Sequence, residues 1–557
     1  LKKKKRIFSF SLACLAAFML TACNQPSSGN GTAPAEQNNA ASAPAQAREA
    51  GKEQKLHLNT FTEPSSLHPG LATDIWSSNV LMQTFEGLTR INQNGEPEEA
   101  MAKEIKVSED LLTYTFILQD NAKWSNGDPV TAHDFEYAWK WVLTPANASE
   151  YAYQLFYIKN AEKAYKGEGP VDAVGVKALD DRTLEVKLEN PTPFFRELTA
   201  FTTYFPINSK IAKDNPKWAE NAGDLYTSNG PFKMVAWEHK NKIMLEKNEH
   251  YWDAQHVKLE SIEMLMINEA NTELSLFESG ELDWAGAPAG NIPLDAMATL
   301  KEKGALEIVP KAGTYWYEFN TAQKPFSNAK IRKAFAYAIN RQELVDNVTQ
   351  GGEIPAMAVV PTSMFPENEK GFFKDHDVET AKKLLAEGLK EEGYADVKAL
   401  PPITLSYNTD EAQAQIAQAV QDMWRKNLGV EVKLENQEWT VYYDNIKKGN
   451  YQVARMGWTG DFNDPINFLE IFRDKGGNNH TGWSDPRFTD LLAKSSREGD
   501  AKKRKAILRE AEQVLMEGMP VIPFYFKTTV YAKNPSLKEV VISGLGNAQY
   551  KWAYFGR

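Results

Sequence analysis

The chain reads as an α/β protein of more than one domain, and two observations carry that reading. Ile403-Thr404-Leu405-Ser406-Tyr407 alternates like a strand, Ile416, Val420, Trp424 and Leu428 recur at helical i+4 steps, Gly429 stands at the helix stop, and Val430-Glu431-Val432-Lys433-Leu434 alternates again. Strand, helix and strand in such close succession make a βαβ unit with a parallel strand pair. The chain also has 557 residues, whereas single cores rarely grow beyond ~250–300. Hydrophobic content of 42% and charged content of 25% suit a soluble globular body.

The N-terminus differs from that body. Lys2-Lys3-Lys4-Lys5-Arg6 is a positive segment, and the uncharged apolar run Ile7 to Leu20 is shorter than the ~20 residues a membrane-spanning helix needs. Residues 1–22 therefore read as an export signal. It closes on Leu20-Thr21-Ala22-Cys23, which resembles the lipobox of bacterial lipoproteins, so Cys23 is expected to carry a lipid. The chain has two cysteines, Cys14 inside the signal and Cys23; after cleavage one thiol would remain, which excludes an intramolecular disulfide or a cysteine-based zinc site. The diacylglycerol implied by a lipobox satisfies the two-chain condition for stable anchoring. Residues 23–53 are rich in Ala, Gly, Ser, Pro, Asn and Gln and cannot build a core. They read as a tether with an r.m.s. reach of about 30 Å. Losing the five positive charges of the signal takes the formal charge from −11 to −16, so the body is no nucleic-acid binder.

Within the body, Leu56-His57-Leu58-Asn59-Thr60 alternates as a strand, and Asp74 to Leu88 carries a rough helical stripe ending near Phe85-Glu86-Gly87-Leu88. Thr113 to Leu118 is a strand. The Asn-Gly and Asp-Pro pairs of Trp124-Ser125-Asn126-Gly127-Asp128-Pro129 mark a turn, after which Thr131 caps a helix through Phe135, Trp139 and Val142. Parallel sheets place ligands at the ends of their strands, and Asn408 and Trp439 lie near such ends. The stretch Arg455-Met456-Gly457-Trp458-Thr459-Gly460-Asp461-Phe462-Asn463-Asp464-Pro465 holds a carboxylate after a turn-forming glycine, an indole, a cation, and two glycines that let another backbone come close. It reads as a socket for an extended chain with a charged end; the plain alternative is a buried Trp beside a solvated Asp in a turn. No repeat of 20–50 residues occurs.

Phe85-Glu86-Gly87-Leu88 and Lys123 to Phe135 resemble the extracytoplasmic peptide-binding proteins of bacterial ATP-binding-cassette importers, most of all the oligopeptide-binding ones. Further matches follow in order: Ser228-Asn229-Gly230-Pro231-Phe232, Phe319-Asn320-Thr321, Ile331-Arg332-Lys333-Ala334-Phe335, Ala338-Ile339-Asn340-Arg341, Tyr407-Asn408-Thr409, and Arg455 to Pro465. The resemblance runs from about Leu56 to the C-terminus. It implies a two-lobed periplasmic-binding-protein-like fold, type II and of the large class with an extra subdomain, in which helices flank mixed sheets and a hinge joins the lobes. By it, residues 54–88, 211–312 and 529–557 form one lobe, 89–210 the extra subdomain, and 313–528 the second lobe.

The resemblance also implies roles. Asp461 takes the peptide ammonium; Gly457 and Thr459 contribute backbone hydrogen bonds; Arg455 faces a peptide carboxylate; Trp458 and Trp439 wall side-chain pockets. Tyr151 faces the ligand from the extra subdomain. Asp74, with Thr73 as competitor, lies close to a second acidic group near the ammonium, and Tyr525 is a further candidate. Gln413 and Ile446 stand where the family would present basic or histidine side chains, with Lys447 the nearest replacement for the second, which leaves peptide length open. The expected partners are an oligopeptide and the membrane permease of an importer, with the protein monomeric, outside the cytoplasm and held to the membrane through Cys23. No cofactor is expected. HExxH, Walker A, GxSxG and EF-hand patterns are absent from the sequence, and the eight histidines are scattered. Other readings keep the fold but change the ligand to di- or tripeptides, a signalling peptide or another small solute, or make the protein a peptide sensor without transport. A peptidase or amidase is disfavoured by the lack of a nucleophile–base motif.

Overall fold

A computed structural model of the chain describes residues 53–92, 95–473 and 478–556. Three sheets of four or more strands organise these residues. The first is mixed, in the order Lys55–Asn59, Ser261–Leu265, Lys242–Lys247, Phe232–Glu238, with its first pair parallel. The second is antiparallel, in the order Ala102–Val107, Thr113–Leu118, Thr183–Lys187, Val176–Asp180. The helix Ala132–Val142 packs against it. That helix starts as expected: Thr131 and Asp134 make a reciprocal capping box. Thr113–Leu118 buries alternate residues, as its pattern requires.

The third sheet has seven strands, ordered Trp284–Gly286, Val521–Lys533, Glu307–Phe319, Val453–Thr459, Ile403–Asn408, Val432–Gln437, with Ile354–Pro355 beside Val521–Lys533. The βαβ unit lies at one end of it. Ile403 pairs in parallel with Val432, and the helix Glu411–Leu428 between them is capped by Asp410 and stopped by Gly429 in the left-handed region. Ile416, Val420 and Trp424 face the core, and the Trp424 indole donates to the Phe335 carbonyl at 2.9 Å. The second strand begins at Val432, two residues later than its alternation suggests.

One expectation shifts. The helix expected over Asp74 to Leu88 spans Ile75–Thr84, because Phe85 to Leu88 is held by other segments. The Glu86 N–H donates to Asn229 Oδ1 at 3.1 Å, and Asn229 Nδ2 returns a bond to the Glu86 carbonyl at 2.9 Å. Gly230 donates to Thr84 at 2.8 Å, and a Cβ on Gly230 would sit 2.6 Å from the Thr84 backbone. Ser125 and Ser228 join the same junction through bonds of 2.7 and 3.1 Å. The divisions expected at 312/313 and 528/529 map onto the seven-stranded sheet. Both fall inside 13-residue strands, Glu307–Phe319 and Val521–Lys533, that run through them as one antiparallel pair with a register shift between Pro310 and Thr314.

Candidate functional site

The strand Val453–Thr459 carries the motif singled out in the sequence, and its two edges differ. One edge pairs with Glu307–Phe319 along its whole length, from Phe319 opposite Val453 to Gly313 opposite Thr459. The other pairs with Ile403–Asn408 only at Val453 and Ala454. From Arg455 to Thr459 that second edge has no strand partner among the described residues; the Arg455 carbonyl accepts from the Tyr442 hydroxyl, and the backbone beyond it is left for an added strand. Gly457 has its own reason to be glycine: a Cβ there would meet the Thr314 carbonyl oxygen at 2.7 Å. The backbone that approaches it is the neighbouring strand of the same sheet.

Asp461 follows the strand after one residue, Gly460. Its backbone N–H donates to Asn467 Oδ1 at 3.2 Å, and the Trp458 indole donates to the same oxygen at 2.7 Å. One asparagine thus fixes both the turn and the indole. The Asp461 carboxylate accepts a long 3.4 Å bond from the Tyr153 hydroxyl. Burial pushes its pKa up to about 6, against the pull of hydrogen bonds from Asn467, Gln154 and Tyr153. No cation pairs with it among the described residues, so it is a withdrawn anion with nothing to neutralise it.

Beside this turn opens a cavity of about 700 Å³, with Trp458, Asp461, Tyr153, Phe194, Ile466 and Arg473 in its wall. Phe462 stacks on Phe194 at 5.1 Å, and the Tyr157 hydroxyl donates to Glu470 at 2.9 Å. These contacts join the segments after residue 150 to the turn. Tyr151 lies in the same region, its ring 5.5 Å from Phe201. Burial first, then the charges of Asp461 and Asp74, push its pKa up to about 12.

At the far end of the strand, Arg455 lies over the Tyr315 ring at 5.2 Å, and its buried Nε has no partner. Burial opposes its charge, but Tyr315, Tyr442 and Tyr525 outweigh that and leave its pKa raised. Tyr525 stacks on Tyr315 at 4.8 Å, and the Tyr315 hydroxyl donates to Gln413 Oε1 at 2.6 Å. Asn408 ends its strand with a buried Oδ1 that nothing satisfies. Arg455, Gln413 and Tyr525 therefore assemble around one ring, with an unpartnered guanidinium nitrogen that suits a carboxylate.

Other candidates sit differently. Asp74 is the N-cap of Ile75–Thr84: it accepts from the Ser77 N–H and hydroxyl, each at 2.7 Å, and from the Ser65 hydroxyl. Its carboxylate is occupied by the helix start rather than open like that of Asp461; Thr73 is exposed. Trp439 starts the helix Trp439–Lys447, is 46% exposed and stacks on Tyr443. Ile446 is buried with Tyr442 and Tyr451, and the Lys447 ammonium rests 4.9 Å from the Tyr443 ring. Neither supplies a cation beside Arg455. Thr459 accepts at its hydroxyl from Lys527 Nζ at 3.2 Å. Asn467, Tyr153 and Lys527 were not singled out in the sequence. Cys23 lies outside the described residues. No group of three or more metal-ligating side chains forms among the described residues.

The sequence model of the bacterial extracellular solute-binding proteins, family 5, matches residues 67–480. The oligopeptide-binding protein OppA of Bacillus subtilis (strain 168) is 58% identical over 503 residues, 90% of this chain and 92% of that protein. Among solved structures, the murein tripeptide binding protein MppA of Escherichia coli superposes with a TM-score of 0.75 at 31% identity, covering 91% of this chain and 99% of the other. Haemophilus influenzae OppA in complex with the peptide RPPGFSPFR gives a TM-score of 0.73 at 30% identity, over 91% and 100%.

Proposed function

The chain belongs to the bacterial extracellular solute-binding proteins of family 5, and we propose that it binds oligopeptides between the lobes of its two-lobed α/β fold and delivers them to an ATP-binding-cassette importer. Peptides share three handles whatever their sequence: an ammonium, a carboxylate and a backbone ladder. The observation that carries the reading is the coincidence of two of them. The unpaired edge Arg455 to Thr459 leads straight to Asp461, a carboxylate without a cation.

A peptide laid along that edge adds a strand through main-chain bonds, which do not depend on its side chains. Its ammonium meets Asp461 and supplies the charge that burial withholds. The Arg455 guanidinium, over the Tyr315 ring that bonds Gln413, is placed for the carboxylate at the other end, and the orphaned Asn408 oxygen can accept from a peptide N–H. Trp458 and the adjoining cavity receive a side chain, while Tyr151, Tyr525 and Trp439 contribute aromatic wall. The divisions near 312/313 and 528/529 fit a hinge made by the two long strands, about which the lobes close on the ligand.

Delivery requires the protein to stay near its permease. A lipid on Cys23 and a tether over 23–53 would hold a monomeric body outside the cytoplasm within reach of it. Titration of the purified protein with an unblocked pentapeptide and its N-acetylated twin, followed by tryptophan fluorescence, tests the central claim. Acetylation should weaken binding by about 100-fold or more. Equal affinities would defeat the assignment of Asp461 to the amino end.

A further inference from the structure

Arg455 is not the sole cation near the strand Val453–Thr459 without a carboxylate. Lys311, on Glu307–Phe319, has neither a hydrogen bond nor an ion pair among the described residues, and Lys527, on Val521–Lys533, reaches only the Thr459 hydroxyl at 3.2 Å. The two ammonium groups are near enough for the Lys311 charge to act on Lys527. A Cβ on Gly313 would come 2.8 Å from Lys527 Cδ and 3.3 Å from Thr459 Oγ1, so Lys527 lies across the bare backbone of Gly313 toward Thr459. Lys311 lies likewise over Gly546, where a Cβ would meet its Cε at 2.8 Å and where φ is +85°.

Like charges are set side by side here without relief. Burial first, then Lys311 and Arg455, bring the Lys527 pKa down to about 7, and burial alone lowers that of Lys311. An arrangement of this kind costs stability in the empty protein, as an unpaired buried charge does. Asp461 presents the same deficit with the opposite sign, two residues beyond Thr459.

A strand advances about 3.3 Å per residue, so a peptide whose ammonium meets Asp461 has its first residues beside Thr459. We infer that Lys311 and Lys527 form an anion subsite for an acidic side chain within the first three residues of the bound peptide. The inference rests on the peptide-binding reading above and adds a sequence preference to it. The bare backbone of Gly313 lets the Lys527 stem cross it, and Thr459 holds the Lys527 ammonium beside the peptide-facing strand.

The test is a glutamate scan of penta-alanine, measured by isothermal titration at pH 7 on the intact protein. Each peptide with Glu at position 1, 2 or 3 is compared with its Gln counterpart, and position 5 serves as control. A charge-assisted bond in this setting should favour Glu over Gln by about tenfold or more at one of the first three positions. At position 5 the ratio should stay near one. In Lys311→Met/Lys527→Met the preference should fall to within about twofold, and Lys527→Gln alone should reduce it. The wild-type scan decides even where a variant folds poorly. Ratios near one at positions 1 to 3 with measurable binding of penta-alanine overturn the subsite and leave the peptide reading intact. Failure of every peptide to bind overturns that reading instead.

Discussion

Asp461 and Asp464 stand three residues apart in one turn, and the fold treats them in opposite ways. Asp464 is 6% exposed and is gripped by Arg504 through a two-pronged pair, 2.6 Å to Oδ2 and 2.8 Å to Oδ1. Arg504 in turn lies over the Phe194 ring at 5.0 Å. Asp461 has the 3.4 Å Tyr153 contact and no cation. The first carboxylate is neutralised within the chain; the second has no cation among the described residues, which is why we propose it for the peptide ammonium. A polar group that the fold removes from water and leaves unmatched marks a ligand position more sharply than its residue type does.

The comparison makes opposite forecasts for the two truncations. Asp464→Ala strands a buried guanidinium, and breaking such a pair costs about 3–5 kcal/mol of stability. Its urea midpoint should fall clearly below that of the wild type. A variant as stable as the parent would show that the pair is idle. Asp461→Ala should do the reverse: peptide affinity drops at least ~100-fold, while the unliganded form, relieved at neutral pH of an ionised group that burial disfavours, melts no lower than the wild type. A large loss of stability without loss of affinity would exchange the two roles.

The same contrast explains what could be read in the sequence. Period and capping signals are local, so the βαβ unit over Ile403 to Leu434 and the Thr131 cap were legible within a residue or two. Asp74 was legible too, though as a cap: a short acidic side chain just before a helical stripe commonly bonds the first turn, and here it does. The motifs at Phe85 to Leu88, Ser125 and Ser228 to Gly230 are tied to one another, so part of what makes the family recognisable is a junction away from Asp461. The pairing of Asp464 with Arg504 spans 40 residues and leaves no trace in spacing. Asn467 was missed because an asparagine near a helix start is ordinary; only its position against both Trp458 and Asp461 gives it a role. Lys311 and Lys527 look like solvated strand residues until the sheet buries both and sets the charge of one against the other.

The smallest effect discriminates most finely, because it depends on the charge of Asp461 rather than its presence. The carboxyl titrates near 6 in the folded, empty protein against an ordinary value of 3.8. The folded state therefore holds this proton more tightly than the unfolded chain. The ionised group costs stability as pH rises from about 4 through 6, and this cost is relieved as pH falls through that window. Binding has the opposite dependence, since an ammonium needs the ionised form. Between pH 7 and pH 5 the ionised fraction falls about tenfold, and affinity for an unblocked peptide should fall by about the same factor. Asp461→Asn removes the titration, so its weaker binding should be flat over that range, whereas Asp464, already matched by Arg504, has no part in it. Should the wild type and Asp461→Asn show the same slope between pH 5 and 7, some other group carries the proton and the amino end of the peptide lies elsewhere.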